Sequence, residues 1–308
     1  MVDRVGYLST ATQYRVVDAL YDLAIKLPSH RVDGGAVSSI GTVPDHFHDP
    51  DSLSGTTSGL FTNGTLFIWG TGPADSYIKY RYSYLVTDHT GTQITFTPTP
   101  PSMPATTPTY SLFDATFPRS IMIQSLGMAL RDFGDIPVTR EITTVENQEE
   151  YDYADSASIF TGNHVIKVEI ATQSSEPFEY YTHYNWHNGH DAVNGNTLRF
   201  DPGHVPDGGY NMRLTYLCKH LDVLGHETYA WYTWAVQDGL EIAPIVNTER
   251  LSWAAAVYAL RWKVQRSPEQ PKFKEALQEA IGREQQYRNK FPIERPTTIH
   301  LSNWQVAR

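Results

Sequence analysis

A pattern repeated at a constant spacing of 104 residues constrains this chain more than any other feature. Pro73, Tyr77, Tyr80, Tyr82, Gly91, Ile94, Phe96 and Pro98 match Pro177, Tyr181, Tyr184, Trp186, Gly195, Leu198, Phe200 and Pro202. The common pattern is P-x3-Y-x2-Y-x-aromatic, then G-x2-aliphatic-x-F-x-P. Upstream, Ala19-Leu20-Tyr21-Asp22-Leu23 parallels Ala129-Leu130-Arg131-Asp132-Phe133 at a spacing of 110. The spacing predicts a helix followed by a β-module, used twice. Duplication of this kind suits a scaffold better than a catalytic site, which rarely needs two copies of its framework.

Three stretches carry the helical period. Val16, Val17, Leu20, Leu23, Ala24 and Leu27 recur at three- and four-residue steps, with a Thr10/Gln13 capping box before them and Pro28 after. A second run opens at Pro118, continues through Ile123, Leu126, Leu130 and Phe133, and stops at Gly134. The third is a pair. Asn247 or Thr248 caps a helix through Leu251, Ala255, Tyr258 and Trp262, with Arg261, Lys263 and Arg266 near its negative end. After Ser267-Pro268-Glu269-Gln270-Pro271, a second helix runs through Phe273, Leu277, Ala280, Ile281 and Tyr287 to Pro292, which predicts an antiparallel hairpin.

Between the helices the period changes to two, over 57–98 and 157–236, with turn signals at Asn194-Gly195 and Gly208-Gly209. No helical crossover lies inside either stretch, so both read as antiparallel. The expected class is α+β: N-terminal, central and C-terminal helices pack as a core from which two antiparallel β-modules project. The divisions are an N-terminal helix (1–32), β-module 1 (33–115), a central helix (116–137), β-module 2 (138–246), a helix hairpin (247–292) and a C-terminal arm (293–308).

Composition removes several classes. The single cysteine, Cys218, excludes a disulfide framework and any multi-cysteine metal site. The N-terminus has no apolar signal core, and the longest apolar run, Trp253 to Leu260, is too short to span a bilayer. The Asn63-Gly64-Thr65 sequon therefore reads as a turn, and folding in a cytoplasm is the expectation. From Thr248 onward the chain holds 11 Lys+Arg against 6 Asp+Glu; the rest holds 13 against 28. An acidic body argues against sequence-reading nucleic-acid binding, which needs a basic footprint.

The candidate chemistry is thin. His183, His187, His190 and Asp191 are of metal-ligand type, but on a strand His183 and His187 stand about 13 Å apart, so solvated turn residues are the simpler reading. Asp45-His46-Phe47-His48-Asp49 reads as loop. Cys218 beside Lys219 and His220 sits in a strand-like run and reads as a small core residue. Gly70-Thr71-Gly72-Pro73 lacks the lysine of a phosphate loop, and Glu149-Glu150 falls in an acidic linker, 145–155. The expectation is no enzyme, no metal and no cofactor. Tyr80, Tyr82 and Tyr84 share one strand face and, with Tyr184 and Trp186, read as core plus subunit interface. The other use of such aromatics is stacking on sugar rings in a tandem β-sandwich glycan-binding or adhesion protein. Trp253 and Trp262, beside Ala254-Ala255-Ala256, read as packing residues.

From Phe117-Pro118-Arg119 to Gly134-Asp135-Ile136-Pro137 the chain resembles the opening of head–tail adaptor (head-completion, connector) proteins of tailed bacteriophages. The hairpin stretches 251–260 and 272–277 resemble their closing helices. Together these stretches cover about an eighth of the chain. The resemblance implies a homo-oligomeric ring, commonly twelve copies, seated in the virion below the portal protein and assembled in the host cytoplasm. Such a ring extends a passive channel for double-stranded DNA and docks a tail or tail-completion protein, with no membrane partner. An acidic lumen would let DNA slide. On this reading Arg261, Lys263, Arg266, Arg295, Trp304 and Arg308 are candidate portal contacts.

Overall fold

The computed structural model describes residues 14–34, 39–40, 45–69, 82–97, 109–134, 136–152, 160–191, 195–220, 242 and 246–292. The chain divides into two compact units, 1–132 with 222–292, and 133–221 with 293–308. Helices and antiparallel sheets both contribute, which is the α+β class expected from the sequence.

In the first unit α1 (Val16–Ala24) leads into β1 (Arg31–Gly34), β2 (Ser39–Ile40), β3 (His46–His48), the short α2 (Pro50–Leu53), β4 (Thr65–Trp69), β5 (Tyr82–His89), β6 (Gln93–Thr97) and β7 (Thr109–Phe113). These strands form one antiparallel sheet in the order β1-β7-β4-β5-β6-β3-β2. The sheet curls strongly. Phe47 on β3 and Tyr110 on β7 are separated by three strands, yet their ring centroids lie 4.8 Å apart. Leu66 and Ile68, Tyr84 and Val86, Ile94 and Phe96, Tyr110 and Leu112 point inward at alternate positions and fill the enclosed core around Phe47. The outer face is covered too: Tyr21 of α1 stands edge-on to Phe67 and Phe113, at 5.5 and 6.2 Å. Burial on both faces is why β4 reads as an unbroken apolar run instead of an alternating one.

His46-Phe47-His48 is a strand here, not the loop its Asp- and Pro-rich flanks suggested. Phe47 anchors it by burying completely, while the rings of His46 and His48 meet on the other face at 6.1 Å. Before β4, Asn63 takes a φ of 66°, so the Asn63-Gly64 sequence forms the turn expected of it. A Cβ at Gly64 would collide with the Phe113 carbonyl oxygen.

The helices of this unit follow their sequence signals with one change. Thr10 and Gln13 lie outside the described residues; in α1 it is the Asp18 carboxylate that accepts the Arg15 N–H, at 3.1 Å. The next helix, α3 (Arg119–Phe133), stops at Gly134, whose φ of 66° is the left-handed stop expected there. Arg119 is buried at the start of α3 and donates from Nε to Ser83 Oγ at 2.7 Å. Asn247 caps α4 (Thr248–Arg266) by accepting the Arg250 N–H at 3.0 Å. Pro271 then opens α5 (Pro271–Lys290). Arg250, at the start of α4, donates to the Phe291 carbonyl beyond the end of α5, so the two helices are antiparallel. Lys26 pairs with Glu249 at 3.1 Å, and Phe117 meets Phe273 edge-on at 6.0 Å, which joins the helices from three parts of the chain.

The second unit contains β8 (Ile136–Thr143), β9 (Glu150–Asp152), β10 (Phe160–Ala171), β11 (Tyr180–His183), β12 (Trp186–Asp191), β13 (Gly195–Phe200) and β14 (Asn211–His220). Its two sheets are ordered β8-β14-β10-β11 and β12-β13-β9. Laid end to end, they repeat the series β1-β7-β4-β5-β6-β3 in both chain order and neighbour order. The strand equivalent to β5 is broken into β11 and β12. One ladder is conserved residue for residue: His46↔Thr95, Phe47↔Ile94 and His48↔Gln93 become Glu150↔Arg199, Tyr151↔Leu198 and Asp152↔Thr197 when 104 is added. The supposed acidic linker is therefore part of the framework, since Glu150 belongs to β9.

The tyrosine half of the repeat is out of step. Phe96 faces Val86 across its hairpin, whereas Phe200 faces Trp186. The register equates Val86 with Trp186, and so Tyr84 with Tyr184; pairing Tyr82 with Trp186 needs a four-residue slip. At the break, Asp201 donates its N–H to the Asn185 carbonyl, and the Trp186 indole N–H goes to the His183 carbonyl at 2.9 Å. Asn188 then bridges the two sheets as a peptide would, accepting the Val165 N–H at 2.9 Å and donating to the Val165 carbonyl at 3.1 Å. Replacing Asn188 by Ala leaves both Val165 groups without this partner and is expected to destabilise the second unit by about 1–3 kcal/mol. Urea unfolding read on second-unit peptides checks it; an unchanged midpoint would show the bridge to be idle.

Candidate interaction surface

The C-terminal hairpin is anchored by its first helix and displayed by its second. On α4 the side chains of Leu251, Ser252, Ala255, Ala256, Ala259 and Leu260 are buried, and small residues let it seat closely. On α5 only Phe273 and Ala280 are buried, and Ile281 is left 43% exposed. Arg283 and Arg288 are balanced along the helix by Glu279 and Glu284 at i,i+4 spacing. The loop-proximal end of the hairpin is different. Lys263 lies over Trp262 and Phe273, at 6.0 and 5.3 Å from the ring centroids. Arg266 lies over Trp262 at 4.7 Å and Lys272 over Phe273 at 4.8 Å. These contacts hold three cations on a small aromatic platform. None of the three is ion-paired with a carboxylate of the described residues.

Trp262 is half-buried, and so is Trp253, which lies under Lys26 at 5.3 Å. Neither is the fully packed residue that its alanine neighbours suggested. Arg261 is exposed and lies over Tyr258, whose hydroxyl donates to Asp132. Burial is the larger cause and Asp132 the second in raising the Tyr258 phenol above its ordinary range. Arg295, Trp304 and Arg308 lie outside the described residues.

The aromatic ladder separates into core and surface. Tyr80 lies outside the described residues, and Tyr82 is placed on β5 by its backbone alone. Tyr84 is 4% exposed and stacks edge-on with Phe96 at 5.1 Å, so it is core and unable to reach a neighbour. Trp186 is likewise nearly buried. Tyr184, beside the strand break, is 62% exposed, and Tyr181 is exposed as well. Strand interruption turns the equivalent of a core tyrosine outward.

The histidines do not gather into a ligand set; among the described residues no group of three His, Cys, Asp or Glu is placed to hold a metal. His183 packs on Phe200 with ring centroids 5.2 Å apart, while His187 Nδ1 turns to Asp201 at 3.2 Å. Of the Cys218 segment, the backbone pairs with β8 and β10 as a central strand. A cleft of about 250 Å³ in the second unit is lined by Glu141, Thr143, Ser174, Phe178 and Asn211. Its carboxylate is already engaged: hydrogen bonds from Arg213, then Asn211, hold Glu141 below the usual carboxylate range.

Two arrangements escaped the sequence reading. The first is buried in the first unit, where Asp49 accepts the Tyr110 hydroxyl at 2.9 Å and the Ser52 N–H at 2.9 Å. Asp49-Pro50 is a helix-start signature that pointed to half of it. The second is one end of the second unit. Thr144 Oγ1 donates to the Asp207 carbonyl at 2.6 Å, and Gly209 donates to the Thr144 carbonyl, which packs the 144–149 and 201–209 loops together. These loops carry Glu146, Glu149, Asp201 and Asp207 with no Lys or Arg, around a Val145 that is 52% exposed.

Comparison with protein-family models and with curated proteins finds no match. No helix among the described residues is long and apolar enough to cross a membrane.

Burial makes His89 and His183 sensitive to acid. Among the described residues His89 Nδ1 and His183 Nε2 are buried with no hydrogen-bond partner, and burial is the main cause lowering both side chains below 6.5. Below that value the unfolded chain binds more protons than the folded one, so stability falls with pH. The contribution is complete above pH 6.5 and is lost as pH drops through the folded values. Melting temperature is expected to fall between pH 7 and pH 5, and to fall less in His183→Gln. An equal fall in that variant would exclude His183 as a source.

Proposed function

We propose that this chain is a structural head–tail adaptor of a tailed bacteriophage, forming a homo-oligomeric ring between portal and tail around a passive DNA channel. The reading rests on the resemblance at 117–137 and in the hairpin, and one observation carries it beyond resemblance. The last described helix, α5, has 20 residues and buries only Phe273 and Ala280 of its own side chains. The chain ties that helix to a duplicated framework, a construction that serves contact with other proteins. The acidic body suits a channel through which DNA slides without sticking. Particle mass across a concentration series, with electron microscopy of the largest species, tests the reading. Closed rings near twelve copies are expected, alone or on portal-bearing heads. Failure to join a portal-bearing head under any condition would remove it.

The arm is assigned to the portal side. Deleting residues 295–308 is expected to abolish capture by portal particles while the melting temperature stays unchanged. Capture at full strength by the truncated chain would reassign the arm.

A second reading has its own observation. Tyr181 and Tyr184 are both exposed on the second unit, and exposed tyrosines are the groups that stack on sugar rings in a glycan-binding or adhesion protein. Glycan-array binding lost in Tyr181→Ala would support it.

A further inference from the structure

Two surfaces of one chain have opposite chemistry, and each has an apolar residue among its charges. At the tip of the α4–α5 hairpin, Lys263 and Arg266 lie over the half-buried Trp262, and Lys272 lies over Phe273. At one end of the second unit, Glu146, Glu149 and Asp207 are carried with the exposed Val145 on two loops that contain His204 but no Lys or Arg, and the one arginine that interacts with them among the described residues is Arg199, with Glu149. The wider charge runs the same way. The chain from Thr248 onward has a net charge of +5 and the rest −15, so a neighbouring copy meets the tip with an opposite field.

We propose that the hairpin tip of one copy docks on the 144–149/201–209 end of the second unit of the next copy, as the subunit contact of the assembly. The occupant is a second copy of this chain. The contact is heterologous, because the two patches differ, and a heterologous contact repeated by rotation generates a closed ring. A tryptophan and an arginine held in a fixed stack have the composition of an interface hot spot: their side-chain freedom is already spent before docking. The like charges on each patch also prevent tip-to-tip and end-to-end pairing, which gives the contact its direction. On this assignment Lys263 and Arg266 serve the subunit contact, and portal attachment is left to the arm.

The inference rests on the ring reading but is tested apart from it. The full chain is prepared as Arg266→Glu/Lys272→Glu and as Glu146→Lys/Asp207→Lys, all four positions being exposed. Mass photometry and sedimentation at about 50 and about 500 mM salt follow assembly, and circular dichroism verifies folding. Each variant alone is expected to lose association by roughly 100-fold. An equimolar mixture of the two is expected to recover it, because each then offers the patch that the other needs. The wild type is expected to weaken at the higher salt. Assembly of either folded variant at wild-type strength overturns the contact, as does a mixture that fails to recover. A wild type that stays monomeric in both salts also overturns it; capture on portal-bearing heads then decides the adaptor reading by itself.

Discussion

Replacing Phe96 by Ala is expected to destabilise the first unit by about 3–5 kcal/mol, and Phe200→Ala to do the same to the second. Both rings are buried and occupy corresponding places in the duplicated framework, each on the strand after its hairpin turn. Phe96 packs against Phe47 and Tyr84, at 5.8 and 5.1 Å; Phe200 packs against Tyr151 and His183, at 5.8 and 5.2 Å. Truncation removes the transfer energy of the ring and leaves a cavity that close-packed neighbours fill only in part. Each ring's partners lie within its own unit, so hydrogen exchange should show protection lost in the peptides of that unit first. Loss spread evenly over both units by either substitution would mean that the duplicated halves do not hold separate cores.

The same two residues show what was legible in the sequence. Gly91/Gly195, Ile94/Leu198 and Phe96/Phe200 fall at one spacing because the ladder to β3 and β9 is conserved pair for pair, and inward positions on that ladder must stay apolar. The helices were legible for a related reason: Pro, Asn and Gly at their ends act locally, without knowledge of the fold. The tyrosine strand was not, since its residues match at a spacing of 104 while its hydrogen bonds put Val86 opposite Phe96 and Trp186 opposite Phe200. Periodicity shows which residues alternate but not against which strand they register. The β11–β12 break was hidden for a different reason. It depends on Asn188 reaching Val165, 23 residues away in sequence. The acidic end of the second unit was visible as a run of Glu and Asp, but its position beside the Gly208-Gly209 turn needed the tertiary fold.

The largest polar effect is expected at Asp49, where the curled sheet of the first unit is held shut. Asp49 follows β3, Tyr110 lies on β7, and their hydrogen bond at 2.9 Å crosses the space that separates these strands. The carboxylate has no solvent exposure, and its other oxygen caps α2 through the Ser52 N–H. Asp49→Ala therefore removes a helix cap, worth about 1 kcal/mol. It also takes the carboxylate acceptor from the buried Tyr110 hydroxyl, at about 1–3 kcal/mol. A loss of roughly 2–4 kcal/mol is expected, against about 1.5–3 for Tyr110→Phe, which keeps the ring on Phe47 and gives up the hydrogen bond to Asp49. Combining both substitutions should cost less than their sum, because they break one shared contact. Alkaline unfolding supplies the control. Burial first, and the hydrogen bond to Asp49 second, raise the Tyr110 phenol far above 10.0. Only the unfolded chain then releases this proton as pH rises past 10.0, and stability falls there. In Tyr110→Phe that part of the fall should be absent. Additive losses from Asp49→Ala and Tyr110→Phe would place the closure of the sheet in the apolar core alone, with the buried pair a passenger.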